Sequence, residues 1–273
     1  MNILFWNINK KNLINEINSL SEDNDVDVII IAENEISDTT IMRVLNANRK
    51  RLFMLPVSLS NSLNIYVRIN RDAVHPLFDS NGIAIREICP PLGLSFIIAA
   101  VHLPSKLYAD QVDQTFISAQ LSEAICDAES RAGHDRTIVI GDFNMNPFEA
   151  GMVAANGLHA VMDRPTAMRI KRIVQGKEKK FFYNPMWSRL GDLSKGPPGT
   201  YHYPGSGQVC FFWNTFDQVL LRPSLINYFS EEDLKVITNF NGTNLLTNIG
   251  KPDKNKFSDH LPILIKLKIE EEV

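Results

Sequence analysis

The chain of 273 residues is 44% hydrophobic and 22% charged, the profile of an ordinary globular protein and not of a disordered or fibrous one. Its net charge of −3 and pI near 6.1 exclude a protein that coats nucleic acid through bulk charge, while leaving room for a local basic surface. No apolar stretch is long enough to span a bilayer, no signal-peptide pattern opens the chain, no repeat or linker divides it, and Cys89, Cys126 and Cys210 are too scattered for a metal or disulfide framework, so 1–273 is expected to form one domain of a cytoplasmic protein with reduced thiols.

Residues 2–8 read as a strand with Ile3, Phe5 and Asn7 on one face and Leu4, Trp6 and Ile8 on the other. The strand ends in Asn7-Ile8-Asn9, which sends two carboxamides to one side. Leu13, Ile14, Ile17 and Leu20 have helical spacing and predict an amphipathic helix over 10–23. A second buried strand, 26–31, runs into Ala32-Glu33. A carboxylate at the end of so apolar a strand is costly to bury without a positive partner, and a divalent cation supplies one; exposed as a helix-start residue, it needs none. A short helix is expected over 37–48, then β segments over 51–57, 62–69, 82–88 and 94–101, separated by turn residues in the manner of an antiparallel meander. The last of these delivers His102 at its end. From Tyr108 the pattern is helical, with Val112, Phe116 and Ala119 and, a step round, Ile117, Leu121, Ala124, Ile125 and Ala128 as its apolar positions and Cys126 counted with the core.

The apolar run Ile138-Val139-Ile140 has the composition of a strand buried on both faces, broken by Gly141. Asp142 and Asn144 follow at alternate positions, which places a carboxylate and a carboxamide at one mouth, a pair suited to a hydrated cation and a phosphate. Asn146-Pro147 has the form of an N-cap and first helical residue. The segment 169–180, RIKRIVQGKEKK, is the most basic of the chain and is followed by Phe181, Phe182, Tyr183 and Trp187. Interleaved cations and aromatics can track a phosphate backbone and stack bases; they can also form a solvated loop over a small apolar cluster. Lys179, Lys180, Tyr201 and Trp213 are the candidate substrate-binding residues. Asp217 opens the apolar strand 216–221, and Asp259-His260 precedes another, 263–269.

Taken together, Phe5-Trp6-Asn7-Ile8-Asn9, Ile31-Ala32-Glu33, Val101-His102-Leu103, Gly141-Asp142-Phe143-Asn144, Phe216-Asp217-Gln218-Val219-Leu220 and Ser258-Asp259-His260-Leu261-Pro262 resemble, in order and across nearly the whole chain, the motifs of the endonuclease/exonuclease/phosphatase superfamily of deoxyribonuclease I-like and exonuclease III-like enzymes. The resemblance implies an α/β fold, a four-layer sandwich of two mixed β-sheets packed face to face with helices outside, and an active site at the rim where strand ends converge. By the same resemblance Glu33 would be the main ligand of Mg²⁺ or Mn²⁺, with Asn9 or Asp259 nearby through water. Asp142 would activate the attacking water, Asn144 and Asn7 would hold the scissile phosphate, Asp217 would fix the tautomer of His260, and His102 would stand near the leaving oxygen. Many nuclease members carry Asp where this chain has Asn9, which removes one possible ligand and puts a second metal in doubt.

The expected function is a divalent-metal-dependent phosphodiester hydrolase, a nuclease acting on DNA in preference to RNA, of the kind used in bacterial defence or repair. The alternative is a phosphatase or phosphodiesterase acting on a lipid head group or small phosphoester, since the fold cannot choose among these substrates. A binding scaffold without turnover would lack catalytic positions, and Asn7, Glu33, Asp142, Asn144, Asp217, Asp259 and His260 are all present. An intrinsic activity and one switched on by a partner protein are both consistent with the chain.

Overall fold

The computed structural model describes residues 1–47, 49–57, 63–194 and 196–269. Twelve strands make two sheets. The first sheet contains β1 (Asn2–Asn7), β2 (Val28–Ala32) and β3 (Leu63–Val67). The expected meander is divided. The segment expected over 62–69 gives β3, which pairs with β2 in the first sheet. In the second sheet β4 (Val74–Ser80), a strand the sequence reading did not mark, pairs with β5 (Ile83–Ile88), and β5 with β6 (Phe96–His102). To these are added β7 (Thr137–Asp142), β8 (Ala160–Val161), β9 (Phe182–Tyr183) and β10 (Asp217–Leu221). The chain returns to the first sheet with β11 (Leu234–Val236) and β12 (Ile263–Lys266). The strand orders are β11-β12-β1-β2-β3 and β4-β5-β6-β7-β10-β9-β8. Both sheets are mixed: β1 runs parallel to β2 and β6 parallel to β7, while β12, β5 and β10 pair antiparallel to β1, β6 and β7.

The alternation of side chains explains the layering. Ile3 and Phe5 of β1 and Val28 and Ile30 of β2 pack in one buried cluster with Ile98 of β6, Ile138 and Ile140 of β7 and Val219 of β10. That cluster therefore lies between the sheets. The opposite faces of β1 and β2, with Leu4, Trp6, Ile29 and Ile31, are covered by α1 (Ile14–Asp23) and α2 (Asp38–Leu45). The opposite faces of β6 and β7, with Ile97, Ala99 and Val139, are covered by α3 (Gln111–Ala132). The result is the expected four-layer sandwich of two sheets between helices.

Several boundaries differ from the sequence reading for local reasons. The helix expected from residue 10 starts at Ile14, because Asn9 and Lys10 take left-handed backbone, φ 47° and 59°, in a tight turn after β1. Over 51–57 only Met54 bridges to Val67. The α3 helix begins after Asp110, whose carboxylate accepts from the amides of Val112 at 2.7 Å and Asp113 at 2.9 Å. Its inward positions are Gln114, Ser118, Leu121, Ile125, Ala128 and Glu129; Val112, Phe116 and Cys126 face solvent. The helix is rotated from the apolar reading because Gln114 donates to the Asn144 carbonyl at 3.0 Å, which ties the polar side of its first turns to the loop after β7.

Gly141 shows why the apolar run of β7 must break where it does. It lies opposite Val101 and Gln218 of the two flanking strands. With φ at 153°, a β-carbon there would fall 1.9 Å from the Val101 carbonyl oxygen. Gly141→Ala should cost on the order of 4 kcal/mol, since backbone cannot yield as a flexible side chain would. Urea unfolding checks this, and a midpoint equal to that of the parent protein contradicts the close approach.

Candidate active site

The period of two that builds the core also builds the site. The inward rows Ile3-Phe5 of β1, Ile98-Ala100 of β6, Ile138-Ile140 of β7 and Val219-Leu221 of β10 continue, one pleat further at the same rim, into Asn7, His102, Asp142 and Asp217. Glu33 is the exception. Strict alternation after Ile29 and Ile31 would send it to the helix face, but its backbone is left-handed, φ 51°, and its carboxylate turns back to the rim. That backbone is braced by the amide of Lys10, which donates to the Glu33 carbonyl at 2.8 Å.

Asn7 is the hub. Its side-chain Nδ2 donates to Glu33 Oε1 at 3.2 Å and to Asp142 Oδ2 at 3.0 Å, while its Oδ1 accepts from the amide of Asn9 at 3.0 Å. Both amide hydrogens of Asn7 are therefore spent on carboxylates, not offered to a phosphate. Asp142 also accepts from the amide of Asn144 at 2.9 Å. His260 Nδ1 lies 2.9 and 3.1 Å from the two oxygens of Asp217, and its Nε2 is 3.8 Å from Asp142 Oδ2. On the other side, His102 Nε2 lies 3.5 Å from Glu33 Oε1. Asn9 Nδ2 donates to Asp259 Oδ1 at 2.9 Å. Asn144, also left-handed at φ 51°, gives a side-chain hydrogen to the Leu103 carbonyl at 2.8 Å, so it braces the loop after β6 and does not project beside Asp142 as alternation alone predicted.

Negative charge dominates this pocket. Among the described residues, Glu33, Asp142, Asp217 and Asp259 face two imidazoles, His102 and His260. Burial opposes a charge on His260, yet the Asp217 and Asp142 carboxylates outweigh it and push its pKa up to about 10. Burial likewise opposes a charge on His102, and Glu33 outweighs it and raises that pKa too. The Glu33 carboxyl is held down at about 2, chiefly by the facing His102 and, against its burial, by Asn7. Burial raises the carboxyl of Asp217, opposed by His260.

Asp142, Asp217 and His260 bring one ligand atom each within 4.8 Å of one another, a spacing that could hold a metal. The hydrogen bonds argue for another use: both oxygens of the fully buried Asp217 are already directed to His260 Nδ1. Glu33 has the more suitable carboxylate for a cation, with 29% of its side chain exposed and Asn9 and Asp259 on the adjoining turn. Hard oxygen donors beside an excess of carboxylates fit Mg²⁺ or Mn²⁺.

Of the candidate substrate-binding residues, Tyr201 reaches the site. Its ring packs 4.6 Å from the His260 imidazole and its backbone bridges to that residue. Burial, with Asp259 and Asp142 nearby, raises its phenol to about 12. Trp213 pairs with His202 in the ribbon beside Tyr201, ring against ring at 5.3 Å. Lys179 and Lys180 do not come to the site. They belong to the hairpin of Lys171–Val174 and Lys177–Lys180. The Lys180 ammonium is held by Glu129 at 3.1 Å and Asp135 at 3.4 Å, and Glu129 in turn accepts from Thr137, the first residue of β7. Asp142 is the last residue of β7, so the hairpin sits at the opposite end of the strand, roughly 17 Å away at ~3.3 Å per residue. Within the basic segment Lys180 answers the buried Glu129, and Lys171 pairs with Glu178 of the hairpin itself.

Asn146 is not a helix cap. Its Oδ1 accepts from the amide of Thr215 at 2.9 Å and its Nδ2 donates to Asn214 at 2.9 Å, and the short helix Ala150–Val153 starts after Glu149. Two supporting residues escaped the sequence reading. Ser258 Oγ donates to the Asn7 carbonyl at 2.6 Å and accepts from the amide of His260 at 3.1 Å, joining the hub to the imidazole. Thr200 Oγ1 accepts from the amide of Asp217 at 3.1 Å. Ser258 has a faint signal, a hydroxyl two residues before a candidate histidine; Thr200 has none.

No protein-family model and no curated protein sequence matches the chain. Solved structures do. An endonuclease/exonuclease/phosphatase family protein from Leptotrichia buccalis C-1013-b gives a TM-score of 0.57 at 13% identity, over 98% of this chain and 99% of that one. The 3′ phosphatase NExo from Neisseria, bound to a product DNA hairpin, gives 0.55 at 15% identity over 98% and 99%. The endonuclease domain of TRAS1, a telomere-specific non-LTR retrotransposon, gives 0.55 at 11% identity over 99% of each chain. The chain thus has the fold of the endonuclease/exonuclease/phosphatase superfamily that its motifs resemble. Among the described residues no helix is long and apolar enough to cross a membrane.

Proposed function

We propose that the chain is a divalent-metal-dependent hydrolase of phosphodiesters in nucleic acid, DNA in preference to RNA. The observation that carries this reading is Asp142. It lies at one rim with its oxygens fixed by Asn7 and the Asn144 amide, between the carboxylate of Glu33 and the Asp217–His260 pair. Hydrolysis needs a water held in line, neutral charge on the non-bridging oxygens and relief of charge on the departing oxygen. A carboxylate held by two donors keeps free lone pairs for the proton of an attacking water. His260, carrying a proton at neutral pH and clamped through Nδ1 by Asp217, presents Nε2–H to an oxyanion. His102, whose Nε2 lies 3.5 Å from Glu33, would donate toward the departing oxygen. Glu33, with Asn9 and Asp259, would hold Mg²⁺ or Mn²⁺, which when bound adds positive charge against the phosphoryl oxygens. Structural neighbours described as an endonuclease domain and as a phosphatase bound to product DNA support nucleic acid as the substrate class.

Incubation with supercoiled plasmid, linear DNA and RNA in Mg²⁺, Mn²⁺ or EDTA tests the reading. Cleavage of DNA is expected with either metal and none with EDTA. Hydrolysis of sphingomyelin or phosphoinositides without attack on any nucleic acid would place the substrate among lipids and overturn the nuclease reading.

A further inference from the structure

The segments flanking Asn9 and Asp259 carry five lysines: Lys10, Lys11, Lys251, Lys254 and Lys256. The fold brings these segments together beside the site. The Lys11 ammonium donates to the Lys254 carbonyl, and Asn9 donates to Asp259. The second segment is a preformed turn. Asp253 Oδ1 accepts from the amides of Asn255 at 3.2 Å and Lys256 at 3.4 Å, Leu246 bridges to Pro252, and Phe257 packs on the outer core of the first sheet. Lys10, Lys254 and Lys256 are thereby presented to solvent.

The acids within reach are occupied elsewhere, Asp253 by turn amides and Asp259 by Asn9. Among the described residues none of the five ammoniums has a carboxylate within ion-pair distance. On the hairpin of 171–180, Lys171 pairs with Glu178 and Lys180 with Glu129. Lys177 and Lys179, which have no ion-pair partner among the described residues, differ from the five lysines in place: they lie toward the far end of β7 and not beside the site. Cations without acidic partners, at a site already rich in carboxylates, suit a ligand that brings its own negative charges in series. The aromatic pair His202–Trp213 lies in the same field: its burial, with Lys251 and Lys254 nearby, lowers the His202 pKa.

We infer that Lys10, Lys254 and Lys256 hold phosphates of the nucleic-acid strand that passes Asn9 and Asp259 on its way to the site. The inference rests on the nuclease reading and names the surface that the sequence had placed at Lys179 and Lys180.

The test is binding of a labelled DNA duplex by anisotropy over a series of salt concentrations, in EDTA to withhold the metal and in an Asp142→Asn background to slow any residual cleavage. Each lost phosphate contact should lower the slope of log affinity against log salt by about 0.9. Lys254→Gln/Lys256→Gln is expected to weaken binding and flatten the slope by nearly two such steps, and Lys10→Gln by one. The charge-matched pair Lys177→Gln/Lys179→Gln on the far hairpin should leave the slope unchanged. A flattened slope from the hairpin pair and an unaltered one from the turn pair would overturn the inference while sparing the nuclease reading. Failure of the parent protein to bind DNA at any salt would sink both. Circular dichroism of each variant reports whether it folds.

Discussion

Asp142→Asn should lower plasmid cleavage in Mg²⁺ by about 10³-fold, the middle of the range that a positioned proton acceptor contributes, and yet leave the protein at least as stable as its parent. The two effects follow from one fact. Asp142 is almost wholly buried among carboxylates that outnumber the imidazoles, so removing its charge relieves repulsion while deleting the proposed proton acceptor. Such a trade is common where a site is built against its own stability. Single-turnover rates and thermal melts, taken on the same preparations, check it. A variant that cleaves within tenfold of the parent would remove Asp142 from the chemistry.

The second large effect concerns His260. His260→Ala strips from Asp217, a carboxylate with no exposure to solvent, the imidazole that both its oxygens face. Breaking a buried pair by deleting one partner costs about 3–5 kcal/mol, or roughly 10 °C in melting temperature for a chain of this size. Adding Asp217→Asn to that variant should return a good part of the stability, because the stranded charge is gone, but none of the activity. The double-mutant cycle separates the pair's structural coupling from its role at the phosphate. Equal melting temperatures for His260→Ala and the double variant would show that Asp217 carries no charge that needs His260.

Most of the site was legible because strand periodicity is simple. Asn7, His102, Asp142 and Asp217 are each one pleat beyond an apolar inward row, so hydrophobic patterning places them at the rim. Glu33 and Asn144 lie where the backbone turns left-handed, and alternation alone misdirects both. The α3 helix misled for a related reason: Val112 and Phe116 are apolar but exposed, while Gln114 and Glu129 are polar but buried because each has a hydrogen-bond partner inside. The basic hairpin shows the limit of composition. A run of lysines does not disclose that Glu129 and Asp135 await one of them, whereas the lysines beside Asn9 and Asp259 are dispersed in sequence and converge only in the fold.

The two halves of the rim belong to different sheets. Asn7 and Glu33 extend from the first, His102, Asp142 and Asp217 from the second, and His260 from the turn that leads into β12. Neither sheet alone holds a complete set. Under the proposed function, turnover would therefore gauge whether the sandwich has closed: a loosened state that keeps its strands and helices but lets the faces slip by an ångström or two would look native to far-ultraviolet light and be catalytically silent.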